Sequence, residues 1–515
     1  MLGGTPQRPR PGFYAPARQR SWDRLLSRVE RRVKRTLYNC QSCGNCLLDK
    51  SAFICPMTCS RGLRNGPCRG STRDRCFVDQ TRTCTWFRIY QRAERHNVLD
   101  RLLEINAPRD HQLADSGISP HSDGVEPERS QGPSLRDLVR NRIHLNPVSE
   151  GFQTARRQPA WWQGDSRYHP PAYAEPLSKL EAALASGRFV VSAEVAPPME
   201  PSGDRIVQVV EFLKGHVDTV NFTDNPRGVA RMSGLACGLH SLKEGMEPVL
   251  QIQTRYRGRH DVESEAVGAA VVGVHNVVCL GDDTGRLGPG PAPRPEWGDL
   301  DAVQALWMLR RLRDEGVNGD GEPIEHRPQY FLGAMASPYA ALPRYEAIVT
   351  EKKINAGAQF LQTMPVFDVD PFGEWMEALD KRDLLGRVYL MPTVAPLKSA
   401  WHARFMANEV PGVHIPAITR ARVENATDPQ QEGIEIALEI IAKLIGIEWV
   451  HGLHILAPER EELVPRLVRE SGLKDFAPDV ETDPGNGHSK SSSGHSVKRS
   501  SSQFVSSQAR DIDNS

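Results

Sequence analysis

Eight cysteines lie between positions 40 and 84 of this 515-residue chain, and only Cys237 and Cys279 follow them. Their order is Cys40-x2-Cys43-x2-Cys46-x8-Cys55-x3-Cys59-x8-Cys68-x7-Cys76-x7-Cys84, with no histidine among them. Soft sulfur ligands at this density mark a metal or cluster module, and two four-cysteine sites are the simplest allocation. A disulfide framework has the same even count but belongs to secreted chains, and Met1 to Trp22 holds no apolar run that would serve as a signal peptide. Structural zinc usually takes separated Cys-x2-Cys pairs. A Cys-x2-Cys-x2-Cys triplet with a later Cys55-Pro56 stands closer to bacterial ferredoxin spacing, although the x8 gap is longer, and favours iron–sulfur over zinc.

A second kind of chemistry is carried by carboxylates at the ends of apolar runs. In Ser192-Ala193-Glu194-Val195-Ala196-Pro197-Pro198 a glutamate sits inside an apolar stretch just before two prolines. Such a carboxylate is costly to bury charged, and desolvation is expected to raise its pKa toward the range of a general acid. A salt-bridged structural carboxylate is the plain alternative. Asn221-Phe222-Thr223-Asp224-Asn225-Pro226 and Leu280-Gly281-Asp282-Asp283 are polar turns, and helix capping would explain Asp224 and Asp283 without any function. In Gln359-Phe360-Leu361-Gln362-Thr363-Met364-Pro365-Val366, period two puts Gln362, Met364 and Val366 on one strand face.

The elements that must position these groups follow from the pattern between about 186 and 482. Short apolar runs predict strands at Phe189–Val195, Val217–Thr223, Pro248–Thr254, Asn276–Leu280, Tyr330–Met335, Phe360–Val366, Val388–Val394 and Gly452–Leu456. Amphipathic stretches separate them, among them Asp204–Lys214, Ala302–Glu315, Ala341–Ala356, Phe372–Lys381, Ser399–Asn408 and Gln431–Ile445. Strand and helix in alternation imply parallel pairing, and eight repeats fit a (β/α)8 TIM barrel, an α/β fold with its chemistry at the carboxyl ends of the strands. A doubly wound open sheet is the alternative, but no strand is followed by Gly-x-Gly-x-x-Gly. The domain reading is a flexible basic lead at 1–36, helical near Asp23 to Lys34; the Cys-rich metal-binding module at 37–106; and an extended linker at 107–185, pinned by Trp161, Trp162, Tyr168 and Tyr173. The barrel takes 186–482, and a Ser-dense disordered tail 483–515.

With 39% hydrophobic residues the chain reads as a soluble globular protein, and its most apolar segment, Ala266 to Gly281, is too short to span a bilayer. Its formal net charge of zero hides an asymmetry: residues 1–100 hold 20 Lys+Arg and 7 Asp+Glu, a surplus that the remainder cancels. Nucleic-acid binding would need a recognition pattern that is missing. Docking within the protein or onto an acidic redox partner accounts for the charge equally well.

The motifs Ala193-Glu194-Val195-Ala196-Pro197-Pro198, Asn221-Phe222-Thr223-Asp224-Asn225, Leu280-Gly281-Asp282, Lys353-Ile354-Asn355-Ala356-Gly357-Ala358 and Gln362-Thr363-Met364-Pro365-Val366-Phe367-Asp368, in that order, resemble 5,10-methylenetetrahydrofolate reductase over residues 180 to 458. The Cys module resembles the zinc or iron–sulfur partner subunit known as the C-terminal domain of that family, here fused ahead of the barrel. The resemblance implies reduction of 5,10-methylenetetrahydrofolate to 5-methyltetrahydrofolate by a flavin, FAD or FMN, with electrons from NAD(P)H or, through the Cys module, from ferredoxin or another protein. Glu194 matches the family's catalytic glutamate, which protonates N10 to open the ring to an N5 iminium. Asp282 matches the aspartate between flavin and pterin that stabilises the cation. Thr223, Asp224, Asn225, Gln251 and Lys353 fall in the flavin-binding motifs, while Gln362 and Met364 fall at the folate.

There are departures from the family pattern. The family's folate-binding glutamine is Met364 here, with Gln362 on the same strand face as its substitute; an arginine common before Gly-Asp is Leu280; and Gln251 stands where histidine is frequent. Two other readings are a folate-linked methyl-transfer or demethylation component without flavin, and a metal-binding scaffold or nucleic-acid-binding protein with a degenerate barrel. The expected setting is cytoplasmic, with no membrane, and the oligomeric state is left open.

Overall fold

The computed structural model describes residues 21–41, 46–68, 74–76, 78–79, 81–108, 165–226, 229–254, 257–281, 300–339, 342–410 and 412–473. The predicted tail at 483–515, most of the linker and Trp161 and Trp162 lie outside them, as do Cys43, Asp282 and Asp283.

Eight parallel strands close in sequence order: β1 Val190–Val195, β2 Thr219–Phe222, β3 Glu247–Gln253, β4 Asn276–Leu280, β5 Phe331–Ala336, β6 Phe360–Pro365, β7 Tyr389–Val394 and β8 Gly452–Ile455, with β8 pairing back onto β1. The fold is the (β/α)8 barrel expected from the alternating pattern. Strands covered on both faces read as largely apolar runs, and β1, β2, β4 and β8 are buried at every position, their few polar side chains included.

The helices are α1 Ser21–Tyr38 and α2 Thr85–Arg95 in the Cys module and α3 Lys179–Ala185 before β1. Around the barrel run α4 Gly203–Leu213, α5 Gly234–Lys243, α6 Arg259–Val271, α7 Ala302–Asp314, α8 Pro343–Asn355 and α9 Val369–Asp380, then α10 Ala400–Glu409, α11 Ala417–Asn425, α12 Pro429–Ile445 and α13 Leu463–Glu470. Polar caps set several starts: Ser233, Asp301, Asp368, Ser399 and Asp428 each accept a backbone N–H from the first turn they precede.

Helix α3 closes the amino end of the barrel. Its Leu180 and Leu184 pack with Val190, Val249, Phe331 and Phe360, and both oxygens of Glu247, the first residue of β3, accept its leading N–H groups at 2.9 and 2.8 Å. Residues just before it are held against the barrel. Tyr173 donates to Glu181 at 2.8 Å, and Tyr168 packs against the outer core.

β6 departs from period two. Gln362 pairs with Met391 and Pro365 with Thr393, so β6 carries one residue more than β7 in that interval. Such a bulge rotates the side chains beyond it. Gln362 faces the barrel interior, whereas Val366 joins the outer core, so the two do not share the face expected of them. The Thr363 and Thr393 side chains stitch the gap: the Thr393 N–H donates to Thr363 Oγ1 at 3.1 Å, and Thr393 Oγ1 donates to the Thr363 carbonyl at 2.5 Å.

The Cys module docks on the outside of the barrel against α8. Trp86, Ile89, Tyr90 and Ala93 of α2 and Leu102 form one apolar cluster with Tyr345, Ile348 and Val349. A polar clamp lies beside it: Asp301, the cap of α7, accepts from the Asn65 backbone N–H at 3.2 Å and from Asn65 Nδ2 at 3.0 Å. Lys352 of α8 is buried in the same seam, 1% exposed.

Candidate functional site

Strand register assembles the mouth of the barrel. Ser192 of β1 pairs with His454 of β8 and Glu194 with Asn221 of β2, so alternate positions of β1 turn both Ser192 and Glu194 inward. Glu194 is 9% exposed, at the carboxyl end where barrel chemistry sits. Its Oε2 accepts Gln251 Nε2 from β3 at 2.8 Å and stands 3.0 Å from His454 Nε2. Behind His454, Ser192 Oγ lies 2.8 Å from Nδ1 and receives Gln362 Nε2 at 3.4 Å, while Asn221 Nδ2 donates to Gln362 Oε1 at 2.8 Å.

The donor directions close consistently. Amides of Asn221 and Gln362 donate in turn, and a Ser192 hydroxyl donating to Nδ1 would leave the His454 hydrogen on Nε2, toward Glu194. With Oε2 accepting two hydrogen bonds, a proton on this carboxyl group belongs on Oε1. Among the described residues Oε1 has no hydrogen-bond partner.

The other positions expected to bind ligands divide. Thr223 Oγ1, at the end of β2, is buried without a hydrogen-bond partner among the described residues. Asp224 is not a helix cap: it pairs with Arg257 at 3.2 Å and accepts the Gln253 N–H at 3.0 Å. Burial raises its pKa, with Arg257 opposing. Asn225, at φ 44°, accepts the Arg231 N–H at 3.0 Å, and Arg231 also ties Pro197 O at 2.8 Å to Glu459 at 2.9 Å, joining the loops after β1, β2 and β8.

Lys353 donates to Met335 O at 2.6 Å. Gln362, 1% exposed, is engaged at both ends of its amide in the interior. Met364 is half-buried against the outer core. Sequence reasoning missed His454, Ser192, Asn221, Arg231 and Arg257. His454 was detectable as the one ionisable side chain in an apolar β8, which barrel closure sets beside β1.

In the module, Cys55 is hydrogen-bonded to Cys40, which together with burial raises its pKa. Lys34 Nζ lies 3.9 Å from Cys46. Cys59, Cys68, Cys76 and Cys84 line one cavity together with Trp86 and Arg82. Burial pushes the Cys84 thiol up to about 11 and raises Cys59 as well. None of the nine described cysteines is joined in a disulfide, and no group of three or more Cys, His, Asp or Glu among the described residues is set as a ready metal-ligand shell. No helix among the described residues is long and apolar enough to cross a membrane.

Fold and site together define a (β/α)8 barrel with an anchored carboxyl group at its mouth and a cysteine module on its flank. Residues 179–472 match the family model of methylenetetrahydrofolate reductase, and residues 20–112 match that of the methylene-tetrahydrofolate reductase C terminal. The chain belongs to the methylenetetrahydrofolate reductase family. It is 26% identical over 312 residues to methylenetetrahydrofolate reductase 1 of Schizosaccharomyces pombe, covering 57% of this chain and 48% of that protein, and so spans about half the length of this curated relative.

Two solved structures resemble it more distantly. An uncharacterized protein from Clostridium thermocellum that binds two copies of 5-methyl-5,6,7,8-tetrahydrofolic acid has 15% identity and a TM-score of 0.45, over 58% of this chain and 99% of that one. The EDTA monooxygenase of Chelativorans sp. BNC1 has 11% identity and a TM-score of 0.37, over 56% and 95%.

Proposed function

We propose that the chain reduces 5,10-methylenetetrahydrofolate to 5-methyltetrahydrofolate with a flavin held at the barrel mouth, Glu194 giving the proton that opens the folate ring. The single observation that carries this reading is the split environment of the Glu194 carboxyl group: Oε2 is anchored by Gln251 and His454, and Oε1 is open. A bound flavin would supply the hydride. The chain's part is then to hold the pterin with N10 near Oε1, to deliver one proton there and to keep an anion near the cation that results. Asp282, just beyond β4, is assigned that anion by family resemblance.

The residues at the mouth fit a flavin. The orphaned Thr223 hydroxyl offers a hydrogen bond to a polar ring edge, Arg231 has a buried Nε without a hydrogen-bond partner among the described residues, and Arg257 pairs with Asp224, the residue after Thr223. Arginines suit the phosphate of FMN and the diphosphate of FAD alike. Asp224, Asn225 and Gln251 serve the same site as supports, and Met364 stands at the folate position.

Glu194→Gln tests the proposal. The variant should keep its flavin colour and lose folate reduction by about 10²–10⁴-fold. Undiminished turnover would remove Glu194 from the mechanism, and colourless parent protein without reductase activity would remove the proposal.

For the module, we infer two soft-metal sites in chain order, Cys40, Cys43, Cys46 and Cys55 in one and Cys59, Cys68, Cys76 and Cys84 in the other. The cavity shared by the last four and the all-thiol donor set support this. Anaerobic purification with metal and sulfide analysis separates iron–sulfur clusters from zinc, and protein free of both would overturn the assignment. The electron donor, NAD(P)H or ferredoxin, is read by which of them bleaches the flavin.

A further inference from the structure

The first 100 residues carry 20 Lys+Arg against 7 Asp+Glu, and docking on the barrel does not consume that surplus. Among the described residues the ion pairs across the seam run in the opposite sense: Glu94 of the module meets Arg344 at 2.5 Å, and Asp100 meets Arg382 at 3.3 Å. The module spends acids on the barrel. The surplus of basic charge answers to something other than the barrel.

Helix α1 shows what that is. Val29, Val33 and Leu37 are 54%, 40% and 49% exposed, and steps of four residues place them along one helix face. Arg32, also exposed, stands among them in the sequence. Single apolar side chains on a surface are ordinary, but a row at helical spacing is the anchor pattern by which a helix meets a partner. Lys34, on the same helix, is buried, pairs with Glu30 and approaches Cys46 at 3.9 Å, and the Cys40 N–H donates to its carbonyl at 3.3 Å. The helix that carries the stripe therefore has the first group of thiols on its buried side.

Three occupants compete for the stripe. A second copy would set two helices side by side, each with six Lys+Arg and two Asp+Glu, and they repel. Nucleic acid would use the arginines and leave three aliphatic side chains in water. An acidic protein with an apolar patch rimmed by carboxylates satisfies both features at once.

We propose that the Val29–Val33–Leu37 face of α1 docks a small acidic electron-carrier protein beside the Cys40, Cys46 and Cys55 thiols, which rests on the reading of the chain as a reductase supplied through its Cys module. The test uses the full-length chain and an acidic [2Fe–2S] ferredoxin as probe, with binding followed by calorimetry over a salt series. The double variant Val33→Glu/Leu37→Glu should bind at least roughly tenfold more weakly. Arg32→Glu should flatten the salt dependence. Both change exposed positions, and turnover with reduced methyl viologen should stay at the parent level.

The proposal falls if parent protein does not bind the probe, or if the double variant binds it as well as the parent does. It also falls if a DNA duplex competes for the face with higher affinity than the probe, or if sedimentation shows a dimer that the double variant abolishes. Parent protein with no viologen-driven folate reduction would instead remove the reductase reading, while calorimetry still decides the docking.

Discussion

Lys352 is 1% exposed, and its Nζ meets no hydrogen-bond partner among the described residues. Burial outweighs the attraction of Asp301 and Glu104 and pulls its pKa from 10.5 down to about 8. Below about 8 the folded and unfolded chains both carry the proton, and the folded one bears the cost of a buried charge. Between 8 and 10.5 only the unfolded chain holds it, so stability climbs with pH across that window. The interval of about 2.5 at about 1.36 kcal/mol per pH unit puts the cost at neutral pH on the order of 3 kcal/mol.

Lys352→Met removes the charge and keeps the stem. At pH 7 the variant should outlast its parent in urea unfolding by up to that amount, and the rise in stability between pH 8 and 10.5 should flatten. A variant less stable than the parent at pH 7, with the rise intact, would show that the ammonium group is well paired in the seam and refute the reasoning.

His454→Leu leaves Glu194 Oε2 held by Gln251 alone, and losing one buried partner at about 1–3 kcal/mol corresponds to folate turnover reduced about 5–150-fold. Flavin content should be unchanged; turnover equal to the parent's would make His454 structural only. Gly433→Ala would set a Cβ 1.8 Å from the Leu397 carbonyl oxygen, a backbone atom that cannot swing aside, so a loss of about 3 kcal/mol or more is expected as a lowered Tm and soluble yield.

The barrel was legible because its strands are largely buried on both faces and so read as short, mostly apolar runs, Phe360–Pro365 and Tyr389–Val394 no less than Val190–Val195. Glu194 was legible for the complementary reason, as a carboxylate interrupting such a run. His454 escaped because its partner is 260 residues away, and only closure of β8 onto β1 makes them neighbours. The β6 bulge escaped because period two has no marker for an inserted residue, and the shared face expected of Gln362 and Val366 failed with it. The charge surplus suggested attraction between module and barrel, but the seam is made by an apolar cluster and a handful of reversed pairs that net charge cannot foretell.

Helix α3 makes the barrel a cup instead of a tube. With Leu180 and Leu184 packed into its floor and Glu247 fastening the helix in place, nothing passes through from below. Whatever enters from above must leave by the same door, so the residence of one visitor sets the waiting time of the next.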